Sequence, residues 1–417
     1  MRNAITHMLN NISSKFKYLL PISLPILLIF YRGVADFTVL LIGLVFLYQS
    51  YKSNDWKWVK QQWFIFSLIF WLYLLLINTP LSINSSESVL YSLAFIRWPL
   101  FAMAISMWLL NNNISQKYFL ISLTATLFFI TLDVWWQYFF YYDFFGNPKY
   151  SFNPERLTGP FRDNPMPGIF LARYLFLILY LGFFLKLLKT PGRNITYIFL
   201  VLTIGASTIF ITGERMAFLI FITGSVIISL GLILNFKKFK KYIALGLISI
   251  IGFVTLFSFS FPDTFYRTIT SLIYKLQNFS NSDYMLVFNS AYAVWLEYPL
   301  FGAGIHQYTD SCIALGFWGT GGGVCMHPHN ISLELLSETG ITGFILYYLI
   351  IISVAFSLVK NFLHKKNWLL LFLSLNLLFV SFFPLIGGMS LFNNWVGAIV
   401  WLFVGWVLVT SRNHKTL

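Results

Sequence analysis

The sequence predicts an all-α polytopic membrane protein, and three observations lead to this fold class. Hydrophobic residues make up 58% of the 417 residues and charged residues only 10%, and the mean hydropathy is +0.73. Apolar runs of roughly 17–25 residues, the length that crosses a bilayer as a helix, recur along the chain. Basic residues are concentrated in every second connection between these runs. Soluble domains of this size do not combine these properties, so we expect residues 1–417 to form a single integral membrane domain.

The apolar runs predict about 12 transmembrane helices, which lie near 17–32, 35–50, 62–78, 91–110, 117–140, 166–186, 195–212, 216–234, 241–260, 330–358, 368–386 and 394–410. All of them should be helical, because lipid offers no hydrogen-bond partner to an unpaired backbone group. The connection between the ninth and tenth runs is the longest and covers residues 261–329. Within it, residues 274–279 and 284–298 have the pattern of amphipathic helices. We therefore expect a large, partly helical loop there.

The charge distribution predicts that both termini face the cytoplasm. With the N-terminus inside, the inner side receives Arg2, Lys15, Lys17, Lys52, Lys57, Lys60, Lys117, Lys186, Lys189, Arg193, Lys237, Lys238, Lys240, Lys241, Lys360, Lys365, Lys366, Arg412 and Lys415. Asp55 is the one acid among them, and nearly all other acids fall on the outer side. Cytoplasmic loops are rich in Lys and Arg. The net charge of +14 therefore reflects membrane topology, and we expect no nucleic-acid partner.

Two histidines stand where the long outer loop meets the tenth apolar run, in His327-Pro328-His329-Asn330. Titratable groups at the mouth of a membrane helix are costly and usually functional. Asn330 is a good N-cap, and the positive end of the following helix should keep His329 neutral, as a general base requires. Alternatively, His329 only caps or packs, or His327 is the active imidazole. Pro328 restricts His327 to an extended conformation, so the two rings should point in different directions.

Two carboxylates follow on the same predicted helix. Glu338 lies about two turns deeper than Asn330 on the same face, and Glu334 lies about one turn below Asn330. Either carboxylate could orient a histidine or pair with a buried arginine. The alternative for Glu334 is a rim residue that faces water.

Arg215 is the first candidate for binding an anion. It lies in the short outer turn Thr212-Gly213-Glu214-Arg215-Met216-Ala217, at the start of the eighth apolar run. There the guanidinium and the free helix N–H groups point the same way, which suits a phosphate. The alternative is a local ion pair with Glu214.

Further arginines add positive charge to the outer side. Arg97 lies within a predicted span, where it must pair with another group or line a polar cavity. Arg173 is nearer to a helix end, and we expect its side chain to extend to the membrane interface. Arg156 and Arg162 flank the segment Leu157-Thr158-Gly159-Pro160-Phe161, and Arg267 and Lys275 open the longest loop. Together these cations indicate an anionic ligand such as a pyrophosphate.

Both cysteines, Cys312 and Cys325, lie in the longest outer loop. An oxidising outer compartment favours a disulfide between them, and the alternative is a pair of buried thiols.

Several motifs of cofactor-dependent enzymes are absent from the sequence. It contains no glycine-rich P-loop, no DxD pair, and no HExxH or CxxC metal motif. We therefore expect neither a metal nor another cofactor.

Four segments of the chain match the motifs of one family. They are His327-Pro328-His329-Asn330 with Leu333-Glu334 and Glu338-Thr339-Gly340-Ile341-Thr342-Gly343; Glu297-Tyr298-Pro299-Leu300-Phe301-Gly302-Ala303-Gly304, which looks like a P-L-x-G-x-G turn; Thr212-Gly213-Glu214-Arg215-Met216-Ala217, which matches a T-G-x-R-x-A turn; and Arg156-Leu157-Thr158-Gly159-Pro160-Phe161. With the hydropathy and the large penultimate outer loop, they make the chain resemble the O-antigen ligase family and the related O-antigen polymerases over essentially its whole length.

The resemblance implies a GT-C-like membrane glycosyltransferase of the bacterial inner membrane, with its active site and the loop at 261–329 facing the periplasm. Such an enzyme takes a glycan from undecaprenyl pyrophosphate, and a ligase transfers it to lipid A–core lipopolysaccharide. His329 matches the family's catalytic histidine, and Arg215 matches its pyrophosphate-binding arginine. The family's further arginine before the P-L-x-G-x-G turn is missing from Ser282-Asp283-Tyr284-Met285-Leu286-Val287-Phe288, so Arg267 is the candidate to replace it.

The leading hypothesis is inverting, metal-independent glycosyl transfer. His329 would deprotonate the acceptor hydroxyl, while Arg215, with Arg267 or Arg97, would stabilise the departing pyrophosphate. The complete set of substrate-binding candidates is Arg215, Arg267, Arg97, Arg156, Arg162, Glu338, His327 and Asn330. The implied partners are the lipid-linked glycan, the lipid A–core acceptor and membrane lipid. One alternative is an O-antigen polymerase that joins repeat units on the lipid carrier. Another is an anion transporter, which predicts broken helices and polar groups near the bilayer midplane in both halves.

Overall fold

The computed structural model describes residues 19–153, 155–185, 190–317, 323–385 and 390–412, and these residues form a helical bundle. Within these ranges the chain forms no sheet, and its one β-bridge joins Tyr142 to Pro148. The predicted all-α class is therefore confirmed for the described residues. The end segments 1–18 and 413–417, on which the predicted cytoplasmic termini depend, lie outside them.

The helices of the first half are α1 (Leu19–Phe30), α2 (Arg32–Ser53), α3 (Gln62–Asn78), α4 (Ser85–Leu109), α5 (Asn113–Phe140), α6 (Pro167–Phe184) and α7 (Pro191–Ile211). Those of the second half are α8 (Arg215–Asn235), α9 (Lys240–Ser260), α10 (Ser271–Gln277), α11 (Asp283–Glu297), α12 (Tyr308–Ala314), α13 (Ile331–Lys365), α14 (Trp368–Phe382) and α15 (Asn394–Arg412).

Among the described residues, nine helices are long and apolar enough to cross a membrane. They are α2, α4 to α9, α13 and α15, and the shorter apolar helices α1, α3 and α14 occupy the remaining predicted positions. This agrees with a polytopic membrane protein, although fewer helices reach full spanning length than the sequence predicts.

Helix α15 lies at the centre of the bundle, and α9 lies at its edge. The side chains from Trp395 to Ser411 are all buried, and α15 packs against α2, α4, α13 and α14. In α9, by contrast, only Ile243 and Ile250 are buried, and apolar side chains such as Ile251 are exposed. An exposed, wholly apolar helix of this kind fits a surface that faces lipid.

The segment between α9 and α13 folds as a row of short helices. Its predicted helix at 284–298 corresponds to α11, whereas the helix predicted at 274–279 is misplaced, because α10 ends at Gln277. Helix α11 packs against α12 and α13, and a disulfide joins Cys312 to Cys325. Both cysteines belong to a small core of their own with Ala291, Val294, Ala303 and Tyr308. This core holds the loop against the start of α13.

Helix α13 is kinked at Gly340, and the turn at residues 299–304 fills the kink. Gly340 has φ 64° and ψ −177°, so its neighbours lose their regular helical bonds. The turn replaces these bonds: Ala303 N donates to Ser337 O at 2.8 Å, and Ile341 N donates to Pro299 O at 3.0 Å. The contact is backbone to backbone, since a Cβ on Gly302 would lie 2.4 Å from the Glu338 carbonyl oxygen. We call this contact the glycine clasp.

Two polar side chains of α3 complete the glycine clasp. Asn78 Nδ2 donates to Phe301 O at 2.7 Å and to Glu338 O at 2.9 Å. The Tyr73 hydroxyl donates to Thr339 O at 2.6 Å. Carbonyl groups freed at a kink within a membrane helix must find donors, and these side chains provide them. The clasp thereby ties α3, the turn and α13 together.

Candidate functional site

A cavity of about 480 Å³ lies at the end of the bundle where α6, α8 and α15 begin. Its charged and titratable lining residues are Arg156, Arg173, Glu214, Arg215, Arg267, Lys275, Tyr150, Tyr284 and His329. Apolar lining residues come mainly from the first turns of α6 and α15 and from α10. The lining of the cavity therefore combines cationic and apolar side chains.

His329 lines this cavity at the residue where the chain turns into α13. Its φ of 51° is in the left-handed region, which is uncommon for a residue other than glycine. The next residue, Asn330, caps α13 as predicted, and its side-chain oxygen accepts from Ser332 N at 2.9 Å and Leu333 N at 3.2 Å. The cap fixes the start of the helix and with it the position of His329.

Both histidines of the motif are largely buried and neutral. Burial lowers the pKa of His329 below its usual value, and burial together with His329 lowers the pKa of His327 to about 3. The lowered pKa of His329 has the direction that the sequence prediction requires, and its cause is burial. The rings lie 5.1 Å apart at 79°, as Pro328 predicts. His329 lines the cavity and His327 does not, so the geometry favours His329 as the base.

Arg215 extends from the first residue of α8 to α10. Its Nη1 donates to Ser271 Oγ at 2.7 Å. The neighbouring Glu214 carboxylate turns to α6, where it accepts from Gly168 N at 2.6 Å and Ile169 N at 3.2 Å. Glu214 thus caps α6, and the alternative in which it holds Arg215 in a local ion pair is not what the structure shows. Burial raises the pKa of Glu214 to about 7, opposed by Arg156 and the two N–H groups.

Arg267 and Arg156 approach the same region from the two long loops. Arg267 Nε donates to Gly213 O at 3.0 Å, and Arg156 Nη2 donates to Pro165 O at 2.7 Å. Burial lowers the pKa of Arg267 to about 10, and Arg156 and Arg215 lower it further by repulsion. Arg267 is still protonated at neutral pH. Three cations that repel one another in one cavity are arranged for an anion.

Gly213 allows Arg267 to come this close. The residue has φ +70°, and a Cβ there would lie 2.5 Å from Glu155 O and 3.0 Å from Arg267 Cδ. Glu155 also forms an ion pair with Arg267, with 3.8 Å between Oε2 and Nη1. A side chain at position 213 would therefore displace the arginine from the cavity.

The comparison with known families covers this part of the chain. Residues 198–348 match the family model described as O-antigen ligase, and they contain Arg215, Arg267 and His329. This region is similar to the O-antigen ligase family. Members of the family are membrane glycosyltransferase-like enzymes, ligases or polymerases, and the family implies lipid-linked glycan and lipopolysaccharide-type substrates. The comparison with curated proteins gives no match.

Not every polar residue that the O-antigen ligase motifs suggest lies in the cavity. Of the predicted site residues, the structure brings together His329, Arg215, Arg267 and Arg156. The residues that do not line the cavity are Arg97, Arg162, Glu338, His327 and Asn330. Arg162 is exposed, whereas Arg97 pairs with Asp36 at 3.1 Å and donates to Asn394 Oδ1 at 2.6 Å. Of the two predicted alternatives, Arg97 therefore pairs with another group and does not line the cavity.

The two carboxylates of α13 hold the backbone of neighbouring segments. Glu338 Oε2 accepts from His306 N at 2.9 Å, next to the glycine clasp. Glu334 accepts from Ser390 Oγ and, at 3.0 Å, from Leu391 N. Glu334 is 0% exposed, so the alternative in which it faces water is wrong. The helical spacing suggests that these carboxylates orient a histidine side chain or pair with an arginine. Neither of the observed contacts is of that kind.

Some of the residues that line the cavity were not predicted as site residues. Arg173 is 5% exposed and lines the cavity, so the expectation that its side chain extends to the interface is wrong. Tyr284 and Phe288 of α11 also line the cavity, where the family pattern has an arginine, and Lys275 lies over the Tyr284 ring at 5.4 Å. The only signal for Arg173 in the sequence is a charge within an apolar run. The other residues that line the cavity with Arg173 come from distant segments of the chain.

Proposed function

We propose that this protein is an O-antigen ligase. In this proposal it transfers a glycan from undecaprenyl pyrophosphate to lipid A–core lipopolysaccharide at the periplasmic face of the bacterial inner membrane, without a metal. One observation carries the proposal: a neutral histidine, His329, lines the same cavity as Arg156, Arg215 and Arg267. A base and a set of phosphate-binding cations are the two parts that transfer from a lipid diphosphate requires.

The reaction follows from the position of His329. Its neutral imidazole accepts the proton of an acceptor sugar hydroxyl as the oxygen attacks the anomeric carbon of the donor. A new glycosidic C–O bond forms while the bond from the anomeric carbon to the pyrophosphate oxygen breaks, with inversion at that carbon. The proton ends on His329, and the electron pair of the broken bond ends on undecaprenyl pyrophosphate.

The arginines stabilise the negative charge that grows on the leaving group. Each guanidinium has five N–H donors. Arg215 uses Nη1 and Arg156 uses Nη2 in a hydrogen bond, and Arg267 uses Nε in a hydrogen bond and Nη1 in its ion pair with Glu155. The remaining donors suit phosphate oxygens. Donors that are already in position need little reorganisation during the reaction. Such sites therefore lower the activation free energy of the transfer.

The apolar part of the cavity lining suits the lipid part of the donor. Leu272 and Leu276 of α10 and Trp395, Val396 and Ile399 of α15 line it. A polyprenyl chain can lie on such a surface while its diphosphate reaches the arginines. The mixed lining therefore supports a lipid-linked anion over a free anion, which is the class of substrate that a transporter would carry.

The test compares His329→Ala with His327→Ala in a strain whose own copy of the gene is deleted. We expect His329→Ala to lose the lipopolysaccharide ladder on a gel, and His327→Ala, which removes the neighbouring imidazole outside the cavity, to retain it. Immunoblots check that both variants reach the wild-type protein level. A full ladder from His329→Ala at normal level would remove His329 from the mechanism.

The deletion strain also separates a ligase from a polymerase of the same family. Loss of a ligase leaves polymer attached to the lipid carrier and absent from the core. Loss of a polymerase leaves single repeat units on the core. We expect the first pattern, and the second would assign the protein to polymerisation.

A further inference from the structure

Arg173 is a buried cation for which the proposed mechanism so far has no use. It lies on α6 about two turns from the start of the helix at Pro167, and it is 5% exposed. Its Nε has no hydrogen-bond partner within the described part of the chain. The side chain lines the same cavity as His329. A guanidinium in this setting is unfavourable until an anion enters the cavity.

The start of α8 lines the same cavity as Arg173. Arg215, Met216 and Ala217, the first three residues of this 21-residue helix, all line it. The first N–H groups of a helix have no partner within the helix and carry partial positive charge. Glu214 stands at the N-cap position, but its side chain does not cap α8. These backbone N–H groups are therefore left for a ligand.

Glu214 is the one carboxylate that lines the cavity among the described residues. Its oxygens are bonded to Gly168 N and Ile169 N of α6. Burial raises the pKa of Glu214 to about 7, so the group is partly protonated at neutral pH. Its repulsion of an anion beside Arg173 is reduced accordingly.

We propose that Arg173 and the N-terminus of α8 form a second phosphate subsite, which makes the cavity selective for a lipid diphosphate over a lipid monophosphate. This inference rests on the proposed function. Arg156, in the connection after α5, and Arg267, in the short helical segment Tyr266–Thr270, form the first subsite, whereas Arg173 lies within α6 and belongs to the second. A diphosphate engages both of them, whereas a monophosphate occupies only one and leaves the other cation unpaired.

The experiment measures binding of two lipids to the full-length protein in detergent. The probes are undecaprenyl pyrophosphate and undecaprenyl monophosphate, and the readout is the ratio of their dissociation constants. Arg173→Gln is compared with Arg162→Gln, which removes an exposed arginine outside the cavity. We expect Arg173→Gln to weaken diphosphate binding roughly tenfold, as for loss of one charge-assisted contact, with monophosphate binding unchanged within about twofold. Arg162→Gln should keep the wild-type ratio.

The outcomes separate this inference from the proposed function. If the wild-type protein binds neither lipid, the proposed function fails. If it binds both lipids equally, or if Arg173→Gln keeps the wild-type ratio, only the second subsite is overturned. Equal weakening of both lipids would show a merely structural role for Arg173. If Arg173→Gln does not elute as a single species, the ratio is measured on Arg173→Lys. There the loss of bidentate geometry should lower the ratio about threefold, and an unchanged ratio overturns the inference.

Discussion

At the scale of single residues, burial decides which polar groups can take part in chemistry. His329 and His327 are two residues apart, yet only His329 lines the cavity. Glu334 and Glu338 stand at helical spacing from Asn330, yet both bind backbone groups of neighbouring segments. Residue type and spacing predicted that these groups are important. They could not predict the partner of each group, because every partner lies far along the chain.

The lowered pKa of His329 predicts how the reaction rate depends on pH. A general base must be neutral, and a pKa below the usual 6.5 keeps the imidazole neutral in more acidic solution. We expect the initial rate of glycan transfer to stay nearly constant from about pH 8 to pH 6.5 and to fall only at lower pH. The measurement uses the purified enzyme with lipid-linked donor and acceptor.

A second titrating group must be separated from His329 in this profile. Glu214 also lines the cavity, and burial raises its pKa to about 7. The variant Glu214→Gln removes this titration, and its profile should still fall only below pH 6.5. A half-maximal rate at or above pH 6.5 in both proteins would contradict a buried, neutral His329 as the base.

At the scale of elements, the glycine clasp explains two of the sequence motifs that resemble the family. The turn at 299–304 and the segment around Gly340 pack backbone against backbone, and Asn78 and Tyr73 of α3 supply the missing donors. Their direct role is to join α13 to α3, and α13 in turn begins next to His329. These motifs therefore position the site without lining it.

Substitution of either glycine of the clasp should destabilise the protein. Gly302 and Gly340 have φ of +76° and +64°, and a Cβ on either would lie 2.4 Å from a backbone carbonyl oxygen. We expect Gly302→Ala and Gly340→Ala each to lower the free energy of unfolding by roughly 1–3 kcal/mol from backbone strain, with the clash adding to it. Thermal unfolding in detergent, followed by tryptophan fluorescence, measures the effect.

The matched control is Gly252→Ala in α9. A Cβ at Gly252 meets nothing within 4 Å, and alanine is the better helix former by about 1 kcal/mol. We expect this variant to melt at or slightly above the wild-type temperature. The account of the clasp is wrong if Gly302→Ala and Gly340→Ala melt together with Gly252→Ala.

At the scale of the whole molecule, the cavity exists only because distant loops meet at one end of the bundle. Its charged and titratable lining comes from the connection after α5, the helix α6, the turn between α7 and α8, the segment after α9 and the residues before α13. The connections assigned to the inner side by their basic residues contribute none of it. The charged residues that line the cavity and the basic residues assigned to the inner side thus lie at opposite ends of the helices, as expected if the cavity faces the periplasm.

This separation leads to a prediction about orientation. Alkaline phosphatase fused after Tyr150, in the connection after α5, should be active because it reaches the periplasm. The same enzyme fused after Lys238, between α8 and α9, or after the C-terminal Leu417 should be inactive, whereas a fluorescent protein at Leu417 should fluoresce. The reverse pattern would place the cavity in the cytoplasm and would contradict the proposed periplasmic transfer.

The sequence by itself determined the membrane class, the approximate position of each apolar helix and the residues where functional groups collect. These properties depend on local composition and on the resemblance of short motifs, which can be recognised without knowing any contact. Helix caps such as Asn330 can also be predicted from the sequence, because the cap side chain bonds to N–H groups only two and three residues away.

Only the tertiary structure decided which of those residues share a cavity. Arg97 bonds to Asn394, 297 residues away, and so is paired, whereas Arg173 has an unpartnered Nε among the described residues and faces the cavity. In sequence both are arginines within apolar runs. Their different environments arise from helix packing, and the cost of a buried charge depends on the groups that surround it. For that reason Arg173 was assigned to the interface from sequence and emerges as a cavity residue in the fold.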